Sequence, residues 1–348
     1  MAMSPLAPST LATQLMRRDT ILRVQSEIDR AAQEVSTGRH ANSYEALGHD
    51  AAQSLRLEAN LGRTEAFLTS NALLENRMGA TATALSGMRK IAQEVLSLAM
   101  PNADAPGQTA GTLASQARAA FDQIAALANT SYEGRALFAG VATDARALAG
   151  WQEEGPGGVM SPAALVASVA GGGPTTGTEA AAMAEELDDA FAGAAYDTAL
   201  YGGAPADGPR LGASIDTGET LDWGIQANDP AFRDLMQGLA MLAGVDAATI
   251  KDPEAYRAWM GHATGKLSSG LSGLLESEAA LGGQQARLAD MVERQEGRKS
   301  LYTKQINDLE GVDPYEAASR MTETQGRLQA SYEVSARILN LSFLDYMR

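Results

Sequence analysis

Cysteine is absent from this 348-residue chain, which removes disulfides, thiolate metal ligands and cysteine nucleophiles together. Basic residues are few: 27 Lys and Arg stand against 43 Asp and Glu, a formal net charge of -16. Nucleic acids and anionic membrane surfaces both need clustered positive charge, so neither is an expected partner. No run approaches the roughly 18 to 20 apolar residues that cross a bilayer, so membrane insertion is not expected. The opening MAMSPLAPSTLATQLMRRDT lacks a basic start followed by an apolar block and a small-residue cleavage site, which argues against a conventional signal peptide. Aromatics are only 5% of the residues. That is little for filling one large compact core, and it suits helices packed closely through Ala and Leu.

Proline is missing over long stretches: between Pro8 and Pro101, between Pro253 and Pro314, and after Pro314. Residues 141–260, in contrast, hold seven prolines, many glycines, and the three tryptophans, Trp151, Trp223 and Trp259. Because proline breaks helices and marks turns, the pattern reads as helical ends around an irregular middle.

The ends carry helical periods. Ile21, Val24, Ile28, Ala31 and Val35 step by three and four residues, like a coiled-coil seam, and Gly38 supplies a stop. A second pattern starts near Asp50, with Gln53 in a capping-box-like spacing. It runs through Leu57, Leu61, Leu68, Leu74, Met78, Leu85, Met88, Ala92 and Val95 to about Met100. Fifty helical residues extend roughly 75 Å. A third helix has Leu113, Ala117, Phe121, Ile124 and Ala128 on one face. On the C-terminal side Leu281, Leu288, Gln295, Tyr302 and Leu309 recur every seven residues, with Gln284, Met291, Arg298 and Gln305 at the other seam position and Val292 and Ile306 beside it, a seam partly polar in its middle. The Asp-Pro pairs at 229, 252 and 313 read as helix starts, Asp as N-cap and Pro at the first helical position. In the middle, RLGASIDTGETLDWGIQ alternates like short strands, and DPAFRDLMQGLAMLAGV is a helix with Phe232, Leu235, Met236, Leu239 and Leu242 inward.

No catalytic constellation emerges. His40, His49 and His262 are scattered and lack the spacing of a helical metal site. The cluster Glu185, Glu186, Asp188, Asp189 lacks the alternating oxygen ligands and glycine of a calcium loop, and reads as a solvated helix face. The glycines of AGGGP at 170–174 are not followed by Gly-Lys-Ser/Thr and read as a linker. There is no Gly-x-Ser-x-Gly elbow. The three tryptophans could mark a ligand-binding surface module on a helical stalk, although core packing explains them more simply. No cofactor and no metal are expected, and the chain does not read as an enzyme.

The terminal seams need a partner. Ordering a forty-residue segment costs on the order of 40–80 kcal/mol of backbone entropy, and burying one Leu or Ile returns only ~1.5–3 kcal/mol. The two ends are therefore expected to pack together, and then against copies or partners.

Four stretches carry a resemblance. They are QEVSTGRHANS, DAAQSLRLEANL, LANTSYEGRALFAGVATD and VDPYEAASRMTETQGRLQASYEVSARILNLSFLDYM, in that order. Together they resemble the flagellin superfamily, and within it the hook-associated, hook–filament junction type, over roughly residues 10–145 and 265–348. Gly134–Gly140 is similar to a Gly-Arg-Tyr-Leu-Phe-Ala-Gly motif, with Ala136 in place of Tyr, and Leu341–Tyr346 is similar to the family's ending. A departure lies in SYEALGHDAA, which stands where the family has Pro-Ser-Asp-Asp-Pro. The alternative within the superfamily is a divergent flagellin, a filament subunit.

The resemblance implies a mainly α fold: a long antiparallel helical coiled-coil rod formed by both chain ends, with a smaller α+β domain inserted in the middle. The expected division is 1–48 plus 312–348 as terminal assembly helices, 49–140 plus 262–311 as helical rod, and 141–261 as an outer insert. It implies assembly through Leu11, Leu15, Ile21, Val24, Ile28 and Val35 on the N-terminal helix, and through Leu328, Tyr332, Ile338, Leu339, Leu341, Phe343 and Leu344 on the C-terminal one. Gly134, Leu137, Phe138 and Gly140 would form the rod-to-insert hinge, with Gly134 ending the third helix. The implied partners are copies of the chain in a ring, a hook-side junction protein, flagellin and an export chaperone. The implied location is the extracellular flagellum, reached through the flagellar type III apparatus without a cleaved signal peptide.

Overall fold

The computed structural model describes residues 10–346 apart from 108 and 157, and side chains from 15 to 337. In chain order the helices are α1 (Thr10–Thr37), α2 (Ser43–Leu47), α3 (Ala51–Ala99), α4 (Ala110–Ala128), α5 (Pro162–Ala170), α6 (Gly177–Ala192), α7 (Ala194–Ala199), α8 (Pro230–Gly244), α9 (Pro253–Glu310) and α10 (Pro314–Tyr346). Among the described residues the strands form two antiparallel hairpins. One pairs β1 (Ser131–Tyr132) with β2 (Arg135–Ala136), the other β3 (Gly212–Asp216) with β4 (Glu219–Asp222). The fold is thus mainly α, with helical regions from both chain ends flanking a middle that carries small sheets. Contacts divide the chain into two units, residues 1–66 with 295–348, and residues 67–294.

The larger unit has one continuous apolar core. The stripe on α3 from Leu74 to Val95 is buried, and so is the face of α4 that the sequence marks. Opposite them α8 buries Phe232, Leu235, Met236, Leu239 and Leu242, and α9 contributes Leu267, Leu274, Leu281 and Leu288. Trp151, Trp223 and Trp259 are all in this core, at 5%, 5% and 0% exposure, so none offers a face to a ligand. Residues 141–261 share this core with α3, α4 and α9.

The helix starts follow local chemistry in two of the three Asp-Pro pairs. Asp252 accepts from the Ala255 amide at 2.7 Å, and Asp313 from the Tyr315 amide at 2.8 Å, each meeting an amide that the helix leaves unpaired. Asp229 precedes α8 without capping it, because its carboxylate is taken by Arg210 at 2.6 Å and by the Gln226 amide at 2.9 Å. Asp50 departs from expectation as well: it closes a 3-10 turn leading into α3, and its carboxylate lies 3.3 Å from His49.

The acidic cluster on α6 is only partly a solvated face. Glu185, Glu186 and Asp189 are exposed, but Asp188 Oδ1 meets His262 Nε2 at 2.8 Å and Lys266 Nζ at 3.1 Å, and accepts from Gln237 Nε2. Lys266 also reaches Asp234 at 3.0 Å. This knot ties α6 to α8 and α9. Burial pushes the Asp188 carboxyl upward, but hydrogen bonds from His262, Gln237 and Lys266 outweigh it and leave the pKa below its ordinary value. A depressed carboxyl stabilises the fold above its unfolded pKa of about 3.9. That stabilisation is lost as pH falls through the lower folded value. Asp188→Asn is therefore expected to flatten the acid limb of a stability-versus-pH curve below about pH 4. At neutral pH it should cost about 1 kcal/mol, since the site is partly solvated. An unchanged acid limb in urea titrations would contradict this.

Within α9, Gly282 and Gly283 stand side by side on the exposed side, and a Cβ at either would meet nothing within 4 Å. Glycine in a helix interior costs about 1 kcal/mol relative to alanine. The double variant Gly282→Ala/Gly283→Ala should therefore gain about 1–2 kcal/mol, read as an increase in Tm. A decrease would mean that the pair has a packing role this fold does not show.

Candidate assembly site

In the smaller unit α1 and α10 run antiparallel. Gln25 Nε2 donates to Tyr332 Oη at 3.2 Å, and nearer the other end Arg320 pairs with Glu34 at 2.8 Å. The turns that close this end are stitched by backbone bonds, His40 N to Glu310 O at 2.9 Å and Val312 N to Gly38 O at 2.9 Å. Beneath them Glu310 is nearly buried. It takes the Ser54 hydroxyl on one oxygen and Arg39, at 3.4 Å, on the other. Glu34 is also well covered, and besides Arg320 it accepts from the Ala41 amide at 3.3 Å with His40 3.7 Å away. Two carboxylates thus hold α1, α10 and the connecting turns in register.

The seam above this clasp is poorly covered. Among the described residues only Ala31 on α1, with Ala317 and Thr324 on α10, is buried. Ile21, Val24, Ile28, Val35 and Leu328 are half-buried. Leu15 and Tyr332 are exposed at 57% and 47%, joined by Met16 at 66%, Leu22 at 54% and Val334 at 56%. A groove of about 380 Å³ runs between the helices, lined by Met16, Thr20, Ile21, Ala330 and Val334 among others. Two helices facing each other can cover one stripe each. The apolar residues on α1 spread wider than one stripe, so the pair leaves a second face open to water.

Of the residues expected to take part in assembly, Leu15, Ile21, Val24, Ile28, Val35, Leu328 and Tyr332 lie on this helix pair. The side chains of Leu11, Ile338, Leu339, Leu341, Phe343 and Leu344 lie outside the described residues. The clasp at Ser54, Glu310 and Arg39 was not legible in the sequence, since no local pattern marks an ion pair between residues so far apart.

In the larger unit the expected hinge takes a different form. Asn129 ends α4, not Gly134: its backbone amide returns to Ala125, and its side chain bonds both the amide and the carbonyl of Leu148. Glu133 and Gly134 then adopt φ of 51° and 76°, the two left-handed residues of a tight β-hairpin turn. Leu137 and Phe138 are fully buried, and the Phe138 ring lies 5.8 Å from that of Phe232. The backbone is held on both sides: Phe138 O accepts from Ala227 N and Ala139 O from Ala204 N, both at 2.9 Å. The segment is a strap built into the core, not a free joint.

Among the described residues no group of three or more His, Cys, Asp or Glu side chains is placed to hold a metal ion. No described helix is long and apolar enough to cross a membrane.

Residues 9–143 match the family model of the bacterial flagellin N-terminal helical region, and residues 264–347 match that of the bacterial flagellin C-terminal helical region. Together the two models cover more than half of the chain. Among solved structures the chain is similar to a protein described provisionally as a flagellar hook-associated protein, from Vibrio parahaemolyticus. The overlay has a TM-score of 0.38 at 14% identity and covers 87% of this chain and 99% of the other. Overlap this low decides nothing further. No curated protein matches the chain.

Proposed function

Since the chain belongs to the bacterial flagellin family, a family of flagellar structural proteins, we propose that it is a hook–filament junction adaptor. It assembles through its N- and C-terminal helices into a ring of copies, with a hook-side junction protein on one side and flagellin on the other. The observation that carries this reading is the half-covered seam of α1 and α10. A soluble helix pair with Leu15, Met16, Leu22 and Val334 in water gains about 25 cal/mol for each Å² of apolar surface that a neighbour covers. A copy of the same pair supplies a matching apolar stripe.

Support for the junction role over that of filament subunit comes from the sequence. The ending Leu341-Ser342-Phe343-Leu344-Asp345-Tyr346 and the motif Gly134–Gly140 resemble the junction type. On this reading the protein leaves the cell through the flagellar type III apparatus with an export chaperone. It resides in the extracellular flagellum.

Deletion of the gene tests the role. The expected result is intact hooks without filaments, and flagellin released into the medium, both reversed by complementation. Normal filaments on the deletion strain would reject the junction role. Loss of flagellin from both cells and medium would favour a filament subunit.

A further inference from the structure

The strap at Leu137–Gly140 borders a group of buried polar atoms that have no protein partner. Gln226 is fully buried, and neither its side-chain nitrogen nor its oxygen is hydrogen-bonded. Tyr201, at 3% exposure, leaves its hydroxyl unmatched, and Asn228, at 1%, leaves Oδ1 unmatched. These side chains border the same two short segments. A Cβ on Gly140 would lie 2.6 Å from Gln226 Nε2 and 3.0 Å from the Ala204 methyl. A Cβ on Gly203 would lie 2.3 Å from the Tyr201 hydroxyl and 2.6 Å from Ala139 O. Asn228 Nδ2 donates to Ala204 O at 3.2 Å. The three side chains that carry the four orphaned atoms therefore lie against the two glycine-bearing segments 139–140 and 203–204.

A buried amide or phenol without a partner is costly, and native interiors meet such groups with protein or with ordered water. The chemistry of the set separates the candidates. It holds donors, in the Gln226 amide and the Tyr201 hydroxyl, and acceptors, in Gln226 Oε1 and Asn228 Oδ1. The phenol remains a donor, because burial and then the neighbouring Asp229 hold its pKa above the ordinary value. A cation would use the oxygens only and leave the amide hydrogens unmet. The carboxylates that act on the Tyr201 phenol are both committed, Asp229 to Arg210 and the Gln226 backbone amide, Asp197 to Arg233, so neither is free to balance a cation. Exchanging oxygen and nitrogen in Gln226 leaves the same mixture, and in Asn228 the bond from Nδ2 to Ala204 O fixes the assignment. Water donates and accepts, and needs two to four such partners.

We propose that Gln226, Tyr201 and Asn228 form an internal hydration site, in which ordered water links the 137–140 strap to the 201–204 and 226–229 loops. The site lies where Ala139 and Phe138 already accept backbone bonds from those two loops, so water completes a three-way junction of otherwise irregular chain. That is why a segment without helix or sheet can stay fixed in the core.

Two variants and one structure of the full-length protein test the site. With water bound, Gln226→Leu removes its anchors and strands the Tyr201 hydroxyl, so Tm should fall by roughly 2–6 °C. Tyr201→Phe should also lower it. If the atoms are dry orphans, removing either polar group relieves a cost. A rise in Tm on both substitutions would overturn the proposal. A high-resolution crystal structure of the unaltered protein should show density about 2.7–3.2 Å from at least two of the three side chains. Density with several oxygen contacts at about 2.3–2.6 Å would instead mean a cation. Side chains turned to bond one another directly, with no density between, would also overturn the hydration site.

Discussion

Phe138→Ala is expected to cost about 3–5 kcal/mol of stability, a fall in Tm of roughly 6–20 °C for a unit of this size. The phenyl ring is fully buried against Phe232, and its removal leaves a cavity as well as losing the burial itself. The upper part of the range applies when the walls cannot close in. Here the backbone on either side of the ring is fixed by bonds from Ala204 and Ala227, and the far wall is the packed face of α8. Tyr315→Ala is the control: at 88% exposure it should change stability by less than about 0.5 kcal/mol. Calorimetry of both variants decides the matter. A Phe138→Ala loss as small as the control would mean that the strap is not part of the core.

The second large effect concerns association. Ile21→Asp combined with Val334→Asp places two carboxylates on the walls of the α1/α10 groove. Burying them against an apolar partner costs several kcal/mol, so assembly should need on the order of 10²–10³-fold more protein. Ile21 is half-buried and Val334 is 56% exposed, so the isolated chain should keep its helicity. Sedimentation and electron microscopy read the first outcome, circular dichroism the second. Assembly at the unaltered concentration would show that the groove is not the contact surface.

Where the sequence is regular, it reveals the fold. The stripe from Leu74 to Val95, the face of α4 and the inward residues of α8 are all legible because one helix period governs each of them. The Asp-Pro starts at 252 and 313 are legible because a cap needs only neighbours in sequence. The middle is less so: α5 is short and apolar nearly all round, and the positions of α5 and α6 depend on packing against α8. Pairings across long separations leave no local trace. Glu310 with Ser54, and Asp188 with His262, look like ordinary surface charges until the chain is folded. The end of α4 at Asn129 rather than Gly134, and the packing of Gly134–Gly140, were hidden for the same reason. The composition of that segment suggests a departure point, but the residues that pin it, Ala204, Ala227 and Phe232, lie far along the chain. The groove was foreseeable as a seam, and its incomplete coverage only the structure shows.

The antiparallel pairing of α1 with α10 also sets an order of events. Gln25 and Tyr332, which bond across the pair, are 307 positions apart. A chain made or delivered from its N-terminus presents α1 long before its partner exists. An amphipathic helix draws most of its stability from packing rather than from propensity, and closing so long a loop carries an entropy cost that grows with the logarithm of its length. Residues 67–294 form a compact unit without α1 and can fold while it waits. The smaller unit is therefore the last to mature, and its apolar residues stay available to any other binder until α10 arrives.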